Sequence, residues 1–200
     1  MAYSEGVPRR SYDHYCAASR ALDVVGDRWS LLVIRELFPG PRRYSDLFAD
    51  LPGISTDVLA ARLKDLEGDG IITRHRVGPR ATTAVYELTP AGVALRPVLD
   101  ALSVWGTTLL GERRPTDAVR AHWFALPLGR AVAARITRGA VTVHIGDTTF
   151  HIVVGDDGIT HHDGPATTPD AELRLDWETA SAVAAGELPL ADAGVWAPVP

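Results

Sequence analysis

Residues 53–72 read GISTDVLAARLKDLEGDGII, the pattern of a capped helix over 55–67, a glycine stop and the start of a strand. Apolar residues spaced three and four apart predict the buried face of this helix. They are Val58, Leu59, Leu63 and Leu66. The opposite face has short polar residues and alanines near its N-terminus and basic residues further along. Such a face suits a helix that enters the major groove of DNA.

The segments around this helix predict a winged helix-turn-helix, so the first part of the chain is expected to have an α+β fold. The predicted helices cover 16–25, 28–38, 46–51 and the segment from 90 to about 110, with a kink at Pro97. After Gly70 the apolar period changes from helical to two, which predicts strands over 71–77 and 84–88 joined by a hairpin tip. The expected buried positions on the second and third helices are Trp29, Leu32, Val33, Leu37, Leu47 and Leu51.

Composition favours a soluble, cytoplasmic protein that makes no membrane contact. The chain has 200 residues, 46% of them hydrophobic, and no apolar run approaches the roughly 20 residues of a membrane span. The first ten residues are polar and lack the apolar core of a signal peptide. Because Cys16 is the only cysteine, an intrachain disulfide is impossible.

Charge is distributed unevenly along the chain, although its net value is −5. Residues 1–114 contain 15 basic and 14 acidic residues, a net of +1, whereas residues 115–200 contain 5 and 11, a net of −6. The basic residues of the first part also form clusters, which are Arg9, Arg10, Arg42, Arg43, Arg62, Lys64, Arg74, Arg76 and Arg80. Such clusters can bind phosphates if they share one face.

These patterns together predict an interface for a double-stranded DNA operator. Ser55, Thr56 and Ala60 are the candidates for contact with base edges. The candidates for the phosphate backbone or the neighbouring groove are Arg42, Arg43, Ser45, Arg62, Lys64, Arg76 and, at the hairpin tip, Arg80. The alternative interpretation is that these are solvated charges on an ordinary small helical domain.

The same region resembles the HxlR-type transcriptional regulators over about residues 12–106. The matching segments are Cys16, ALDVVGDRWSLL at 21–32, REL at 35–37, GPRRYSDL at 40–47, LPGIS at 51–55, RLKDLE at 62–67 and YELTPAG at 86–92. The resemblance implies a homodimer, built from the N-terminal helix and the long helix after the wing, on a two-fold-related operator. One departure is Ala17, which stands where the family usually has a proline after the cysteine.

Cys16 is a candidate redox site, because some regulators of this family sense oxidants or electrophiles through the cysteine at this place. A thiolate near a helix N-terminus has a lowered pKa, and Arg20 could contribute if it lies one helical turn away. The alternative is that Cys16 is a small buried apolar residue. The sequence leaves both possibilities open.

A composition break at 111–115 predicts a linker, so we expect two domains, 1–112 and 115–200. Beyond the linker, 117–137 is mostly helical in pattern, with a break at 127–129. Strands are predicted over 140–145, 149–154, 159–162 and 171–177, as an antiparallel meander, and a helix follows over 178–185. This part is also expected to have an α+β fold, with a small antiparallel sheet and helices.

The second domain resembles the sterol-carrier-protein-like fold in DAELRLD at 170–176, ETA at 178–180 and AAGEL at 184–188. The resemblance implies a hydrophobic tunnel that could hold an apolar ligand or lipid. The candidate ligand-binding residues are Trp123, Phe124, Phe150, Ile152, Trp177 and Val183. The alternative is that they fill the core and that the domain only stabilises the dimer. The chain to Pro200 is expected to lack the last strand of that fold.

No catalytic residue, cofactor or metal site is expected in this chain. The sequence lacks a nucleophile elbow, a phosphate-binding glycine loop and a zinc-protease motif. His161 and His162 are adjacent, so on a strand they point to opposite faces, and we expect surface histidines there. The predicted function is therefore a homodimeric repressor, not an enzyme, controlled by an apolar ligand. The alternatives are control through Cys16, or a constitutive regulator.

Overall fold

A computed structural model describes residues 11–76, 78, 83–156 and 158–199 of the chain, with no side chain described for Val195. The chain divides into two compact units, Met1–Leu37 with Pro41–Val93 and Phe38–Gly40 with Ala94–Pro200. This division falls earlier in the chain than the linker at 111–115. The domain bounds 1–112 and 115–200 stay a prediction.

The first unit combines short helices with a small sheet. Its described helices are α1 (Ala17–Val25), α2 (Ser30–Leu37), α3 (Tyr44–Asp50), α4 (Thr56–Gly68) and α5 (Pro90–Val93). Its described strands are β1 (Arg42–Arg43), β2 (Ile72–Arg76) and β3 (Ala84–Leu88). The order of helices followed by a hairpin is the one that the sequence predicts, with bounds that differ by one or two residues.

Helices α2, α3 and α4 contribute the core of the first unit. The fully buried side chains include Val33, Ile34, Leu37, Leu47, Leu51, Leu59, Leu63 and Leu66. The buried face predicted for α4 is therefore confirmed at its three leucines but not at Val58, which is 39% exposed. Val58 precedes Leu59 by one residue, and one step of about 100° carries it to the edge of the buried face.

Helix α2 begins later than the sequence predicts, because the residue before it cannot be helical. Trp29 has a φ of 83°, in the left-handed region that a bulky residue rarely adopts. The helix starts at Ser30 instead of after an Asp27 cap, and Trp29 is only half-buried. Leu32 was expected in the core and is 37% exposed, since Val33, Ile34 and Leu37 form the buried side of α2.

Strand β3 lies between β1 and β2 in an antiparallel sheet. Arg42 of β1 is opposite Tyr86, and Ile72 of β2 is opposite Leu88. The sequence did not predict β1, because two residues are too short to show an alternating pattern. This strand holds the start of α3 beside the hairpin.

The start of helix α5 packs closely against Gly70 and Ile71, the residues that precede β2 in the hairpin. The hydroxyl of Thr89 lies 2.6 Å from the carbonyl oxygen of Gly70 and accepts a hydrogen bond from the backbone N–H of Gly92 at 3.2 Å. A Cβ on Gly92 would lie 2.3 Å from the carbonyl oxygen of Ile71. Only glycine fits there, so the backbone of α5 packs directly on the residue before β2.

The long helix predicted from residue 90 is two helices, with α6 (Arg96–Thr107) starting after a break at 94–95. Pro97 lies in the first turn of α6, where its missing N–H is not needed and its ring has no preceding turn to clash with. The chain therefore breaks where a kink was predicted. Leu99 is buried, whereas Val98, Leu102 and Trp105 form an exposed row, here called the α6 stripe.

The second unit contains a five-stranded sheet. Its strands are β4 (Gly139–Ile145), β5 (Thr148–Gly155), β6 (Gly158–Asp163), β7 (Ala171–Leu175) and β8 (Val195–Pro198), in the order β6-β5-β4-β7-β8. The predicted antiparallel meander is correct for β4 to β6 and wrong for β7. The chain returns after β6 to the other side of β4, and β7 pairs with β4 in parallel. The α+β class holds, with a mixed sheet.

Strand β8 is a further strand that the sequence did not predict. It pairs with β7 in the antiparallel direction. The turn before it requires a glycine, because Gly194 has a φ of 66° and a Cβ there would lie 2.5 Å from the carbonyl oxygen of Arg174. Its proline-rich sequence hides the alternation by which a strand is normally recognised.

A 3₁₀ turn (Ala121–Phe124) leads into α7 (Ala125–Ala133), and α8 (Trp177–Ala185) follows β7. Helix α7 runs through the break predicted at 127–129, because Pro127 lies in its first turn. Gly129 permits a close approach, since a Cβ there would lie 2.9 Å from Cγ2 of Ile159. Asp176 caps α8 by accepting a hydrogen bond from the backbone N–H of Thr179 at 2.7 Å, which holds the pKa of its carboxyl below the usual value.

One face of the five-stranded sheet packs into the core of the second unit. Alternate residues of β4, β5 and β7 are buried, as a half-buried sheet requires. They include Val141, Val143, Ile145, Phe150, Ile152, Val154, Leu173 and Leu175, and they pack with Leu128, Val132 and Ala180 of the helices. The other face carries the polar members of the same strands.

The helices of the described residues are short compared with the roughly 20 residues that cross a bilayer. Helix α4, for example, has 13 residues. Within those residues we find no helix with the length and apolar character that a bilayer crossing requires.

Candidate nucleic-acid interface

Local interactions fix the N-terminus of α4. The Oγ atom of Ser55 accepts a hydrogen bond from the backbone N–H of Val58 at 3.3 Å, so Ser55 is the N-cap. From α3, the hydroxyl of Tyr44 donates to the carbonyl oxygen of Thr56 at 2.9 Å. The turn between the helices contains Gly53, whose φ of 91° favours glycine. Helices α3 and α4 therefore form a helix-turn-helix with a defined start for α4.

The exposed surface of α4 carries short side chains near its N-terminus. Ser55, Thr56, Ala60 and Lys64 all lie on the surface. Thirteen residues make a rod about 20 Å long, and a rod with short side chains can enter a major groove about 12 Å wide. The arrangement leaves two hydroxyls and a methyl group exposed in the first turns of the helix, and an amine exposed further along.

The two basic residues predicted on α4 have different surroundings. Lys64 is exposed, whereas the side chain of Arg62 is only 18% exposed. The Nη2 atom of Arg62 lies 2.7 Å from Oδ2 of Asp65, and its Nη1 atom pairs with Asp27. The contact of Arg62 with a phosphate stays a prediction, and its observed role is to tie α4 to the segment before α2.

The candidates at the start of α3 also differ in accessibility. Arg43 and Ser45 are exposed, and both are oriented around Asp46. The backbone N–H of Arg43 donates to Asp46 at 3.1 Å, and the Ser45 hydroxyl donates to it at 3.2 Å. Arg42 is half-buried, and its Nε atom donates to the carbonyl oxygen of Glu36 at 3.4 Å. Arg43 and Ser45 are thus the accessible members of this group.

The hairpin carries further positive charge along β2. Arg76 is exposed at the end of this strand. Arg74, which is also exposed, places its guanidinium 5.9 Å from the ring centroid of Tyr86 on β3. This stacking holds one cation against the sheet while it stays accessible. Arg80, predicted at the hairpin tip, lies outside the described residues.

Cys16 occupies the N-cap position of α1 and is exposed, so the alternative of a buried apolar residue is wrong. The backbone N–H of Ser19 lowers the pKa of its thiol, and the N–H of Ala18 and the Ser19 hydroxyl act in the same direction. Arg20 turns elsewhere, with its Nη1 atom 3.6 Å from Asp23 and 3.4 Å from the Ser11 hydroxyl. The helix start, not Arg20, perturbs this cysteine.

The residues predicted to bind an apolar ligand belong mostly to the packed core of the second unit. Phe150, Ile152 and Val183 are buried in it. Phe124 and the more exposed Trp177 meet edge to face, with ring centroids 6.1 Å apart, and Trp123 is half-buried. Two concavities on the surface of the described residues have other linings. The ligand role of these six residues stays a prediction.

The histidines of the second unit each have local partners. His161 and His162 do point to opposite faces of the sheet, as predicted, but His161 is only 3% exposed and is not a surface histidine. The rings of His162 and His151 stack at 5.2 Å, and Nδ1 of His144 lies 3.1 Å from the Thr149 hydroxyl. The sequence missed the burial of His161 because the strand register decides which of two adjacent histidines faces inward.

A helix-turn-helix followed by a basic two-stranded hairpin defines a winged helix-turn-helix protein. Residues 24–114 match the family model described as HxlR-like helix-turn-helix. The chain is 40% identical over 112 residues to the HTH-type transcriptional regulator sll1512 of Synechocystis sp., covering 56% of this chain and 83% of that protein. It belongs to the HxlR-like family and is a DNA-binding transcriptional regulator.

Two regulators from Bacillus subtilis are similar over the same region. YvaP is 38% identical over 88 residues, covering 44% of this chain and 82% of that protein. YodB is 35% identical over 85 residues, covering 42% and 76%. The solved structure of reduced YodB superposes with a TM-score of 0.44, at 30% identity over 50% of this chain and all of that one. The family match ends at residue 114, before most of the second unit.

Proposed function

We propose that this regulator acts as a homodimeric repressor that places α4 of each protomer in the major groove of a two-fold-related operator. The observation that carries the proposal is the exposed face of α4, which is short in its side chains and fixed at its start by the Ser55 cap and the Tyr44 hydroxyl. A rigid helix that presents hydroxyl and methyl groups is suited to direct readout of bases.

The proposed contacts follow from accessibility. Ser55, Thr56 and Ala60 face base edges, because they are exposed, uncharged and short side chains in the first turns of α4. Phosphate contacts come from exposed cations and donors on four elements, namely Arg43, Ser45, Lys64, Arg74 and Arg76. Arg80 is a proposed contact on the sequence pattern alone. Arg42 and Arg62 contribute less to phosphate binding, because their donors already interact with groups of the protein.

The α6 stripe supports the dimer. Val98, Leu102 and Trp105 are spaced four and three apart, so they lie on one side of the helix, and Trp105 is 65% exposed. Solvent-exposed apolar rows of this kind mark contact surfaces, and a two-fold dimer buries the same row from both protomers. Leu22 in α1 and Tyr15 just before it are exposed as well, and they are further contact candidates at the N-terminal helix that the family resemblance implies.

The salt dependence of DNA binding separates the two basic residues of α4. Lys64→Ala is expected to flatten the slope of log Kd against log salt by about 2 for a dimer, because each protomer loses one phosphate contact. Arg62→Ala is expected to leave most of the slope but to lower Tm by about 3 °C, because its ion pairs with Asp27 and Asp65 are lost. Fluorescence anisotropy on the protein's upstream DNA measures the first, and thermal unfolding the second.

Each variant is the other's control, since both remove one positive charge from the same helix. If Arg62→Ala flattens the salt slope as much as Lys64→Ala does, both residues of α4 contact phosphates. Wild-type protein that binds no segment of its upstream DNA, even at low salt, would contradict the proposed repressor.

Regulation through Cys16 is a second candidate function. The observation that favours it is an exposed thiol whose pKa is lowered at the start of α1. The apolar-ligand alternative would require Phe150, Ile152 and Val183 to leave a packed core, which costs free energy that Cys16 chemistry does not. We therefore propose that Cys16, and not an apolar ligand, controls DNA binding.

Hydrogen peroxide or a quinone is expected to weaken DNA binding of the wild type by at least about tenfold, because oxidation or an adduct disrupts the hydrogen bonds that start α1. Cys16→Ser should bind DNA normally and ignore both reagents. Because the chain has one cysteine, all thiol chemistry belongs to it. An equal loss of binding in Cys16→Ser would end the redox proposal.

A further inference from the structure

Two histidines of the second unit meet on the face of its sheet that is turned away from the core. His151 of β5 and His162 of β6 are directly opposite each other in the antiparallel register, and their ring centroids lie 5.2 Å apart. Their strand neighbours Phe150, Ile152 and His161 are buried, so both rings point away from the core. His162 is exposed and His151 is half-buried. Two imidazoles therefore share one accessible place on the sheet.

A hydrogen bond determines which nitrogen of His151 carries the proton. Nδ1 of His151 lies 2.9 Å from the carbonyl oxygen of Gly164, and a carbonyl oxygen can only accept a hydrogen bond. Nδ1 therefore donates, which leaves the lone pair of the neutral ring on Nε2. Metal-binding histidines have this arrangement, in which one ring nitrogen donates to a carbonyl or carboxylate oxygen and the other binds the ion.

The turn after β6 holds the carbonyl group of Gly164 in place. Gly164 has a φ of 72°, which favours glycine, and its N–H donates to the carbonyl oxygen of Thr149 at 3.1 Å. Thr149 lies two residues before His151 on β5, so the turn is tied to the strand that carries the histidine. The backbone around Gly164 thus orients the His151 ring.

The separation of the two rings suits one metal ion. Two imidazoles that bind a zinc ion tetrahedrally at N–Zn distances of about 2.1 Å have ring centroids about 5 Å apart. The rings of His151 and His162 have this separation, with their planes at 28°. Rotation about the Cβ–Cγ bond, a soft torsion in histidine, turns the Nε2 atoms toward a common point.

The surroundings of the pair favour a cation and leave room for it. Residues 115–200 contain 5 basic and 11 acidic residues, and this negative balance attracts positive ions. Val153 and Thr160, the next residues on the same face of β5 and β6, line an open concavity of about 460 Å³. Its one arginine, Arg138, is paired with Asp156 at 3.0 Å. An ion beside this concavity has space for further ligands.

We propose that His151 and His162 bind a divalent zinc ion through Nε2 of each ring. Imidazole is a suitable ligand for zinc, and two histidines leave two positions of a tetrahedral ion to water or to a donor atom of a small ligand. The strand register creates this site, because it joins His162 to a residue eleven positions earlier and not to the adjacent His161. None of its residues is a proposed DNA contact.

The test uses the full chain with Cys16→Ser, because an exposed thiolate also binds zinc. Zinc chloride is titrated calorimetrically without DNA, and the ring protons of the seven histidines are followed by NMR. We expect one ion per chain with a Kd of about 10 µM or tighter. The ring signals of His151 and His162 should shift together as the site fills.

His162→Gln should weaken zinc binding by at least about tenfold, because one of the two side-chain ligands is lost. Since His162 is exposed, this change should leave the fold intact. His151→Gln should weaken binding to the same extent. The matched control is His75→Gln, which removes an imidazole that lies 3.6 Å from Glu87 in the first unit and should keep the affinity.

The proposal fails on any of three results. The first is no zinc binding by the Cys16→Ser chain up to ~1 mM, a concentration that would reveal even a weak site. The second is equal affinity with and without the His162→Gln substitution. The third is zinc that shifts the ring signals of other histidines and leaves those of His151 and His162 unchanged. Because no DNA is present, none of them bears on the proposed repressor.

Discussion

Ala60→Glu on the exposed face of α4 is expected to weaken operator binding by about 100-fold or more while leaving the free energy of unfolding within about 0.5 kcal/mol of the wild type. The substitution adds a carboxylate to the face that is proposed to meet the bases. Each protomer of the dimer carries it, so a penalty of about 1–3 kcal/mol occurs twice in one complex. Fluorescence anisotropy and urea unfolding measure the two quantities.

Ser181→Glu is the matched control, because Ser181 is an exposed residue of helix α8 in the second unit. It adds the same charge to the protein outside the proposed DNA contacts, and operator affinity should change by less than about threefold. Equal losses of affinity in the two variants would mean that net charge, not the face of α4, determines binding. A stable Ala60→Glu protein with normal affinity would remove α4 from the major groove.

Trp105→Glu in the α6 stripe is expected to raise the dissociation constant of the dimer by about 1,000-fold or more, with the protomer still folded. Central tryptophans of interfaces contribute about 2 kcal/mol or more, and two-fold symmetry places both copies in the same interface. The buried carboxylates would add their own penalty. Sedimentation velocity across a range of concentrations gives the dissociation constant, and operator affinity should fall with it.

Val104→Glu is the control for the stripe. Val104 is exposed on the same helix, but its position in the helical repeat is about 120° away from the row of Val98, Leu102 and Trp105. It should leave the dimer intact. Dissociation caused equally by Val104→Glu would indicate a contact surface that is not centred on the stripe, and a dimer unaffected by Trp105→Glu would rule the stripe out.

The helix-turn-helix could be predicted from sequence because its signals are local. The spacing of Leu59, Leu63 and Leu66 defines the buried side of α4 without reference to the rest of the chain, and Ser55 marks its start. The late start of α2 could not be predicted, because nothing in the residues around Trp29 announces a left-handed backbone. Local sequence patterns therefore predict which side of a helix is buried better than they predict where the helix begins.

The second unit was less predictable, because strand order depends on pairings across long separations. The alternating residues of β4 to β7 were recognisable, but the parallel pairing of β7 with β4 follows from where the chain returns after β6. Pro127 suggested a break, and its place in the first turn of α7 makes it harmless. Whether a proline interrupts a helix depends on where that helix begins.

The candidate nucleic-acid interface could also be predicted only in part, because the contacts of its residues depend on distant parts of the chain. Lys64 and Arg62 are equivalent by composition and spacing, and only the fold reveals that Arg62 is paired with Asp27, far away in the sequence. Residue type identifies a possible charge contact, whereas its availability depends on tertiary neighbours.

The contact between Gly92 and the carbonyl of Ile71 has a consequence for how such a protein can diverge. No side chain can be accommodated at Gly92 without separating α5 from the root of β2, so this corner is closed to variation. Thr56 and Ala60, in contrast, face outward from a helix whose packing they do not support. Under the proposed DNA contacts, lineages of this regulator would acquire new operators by exchanging a few surface residues of α4, while the packing that orients the helix is kept.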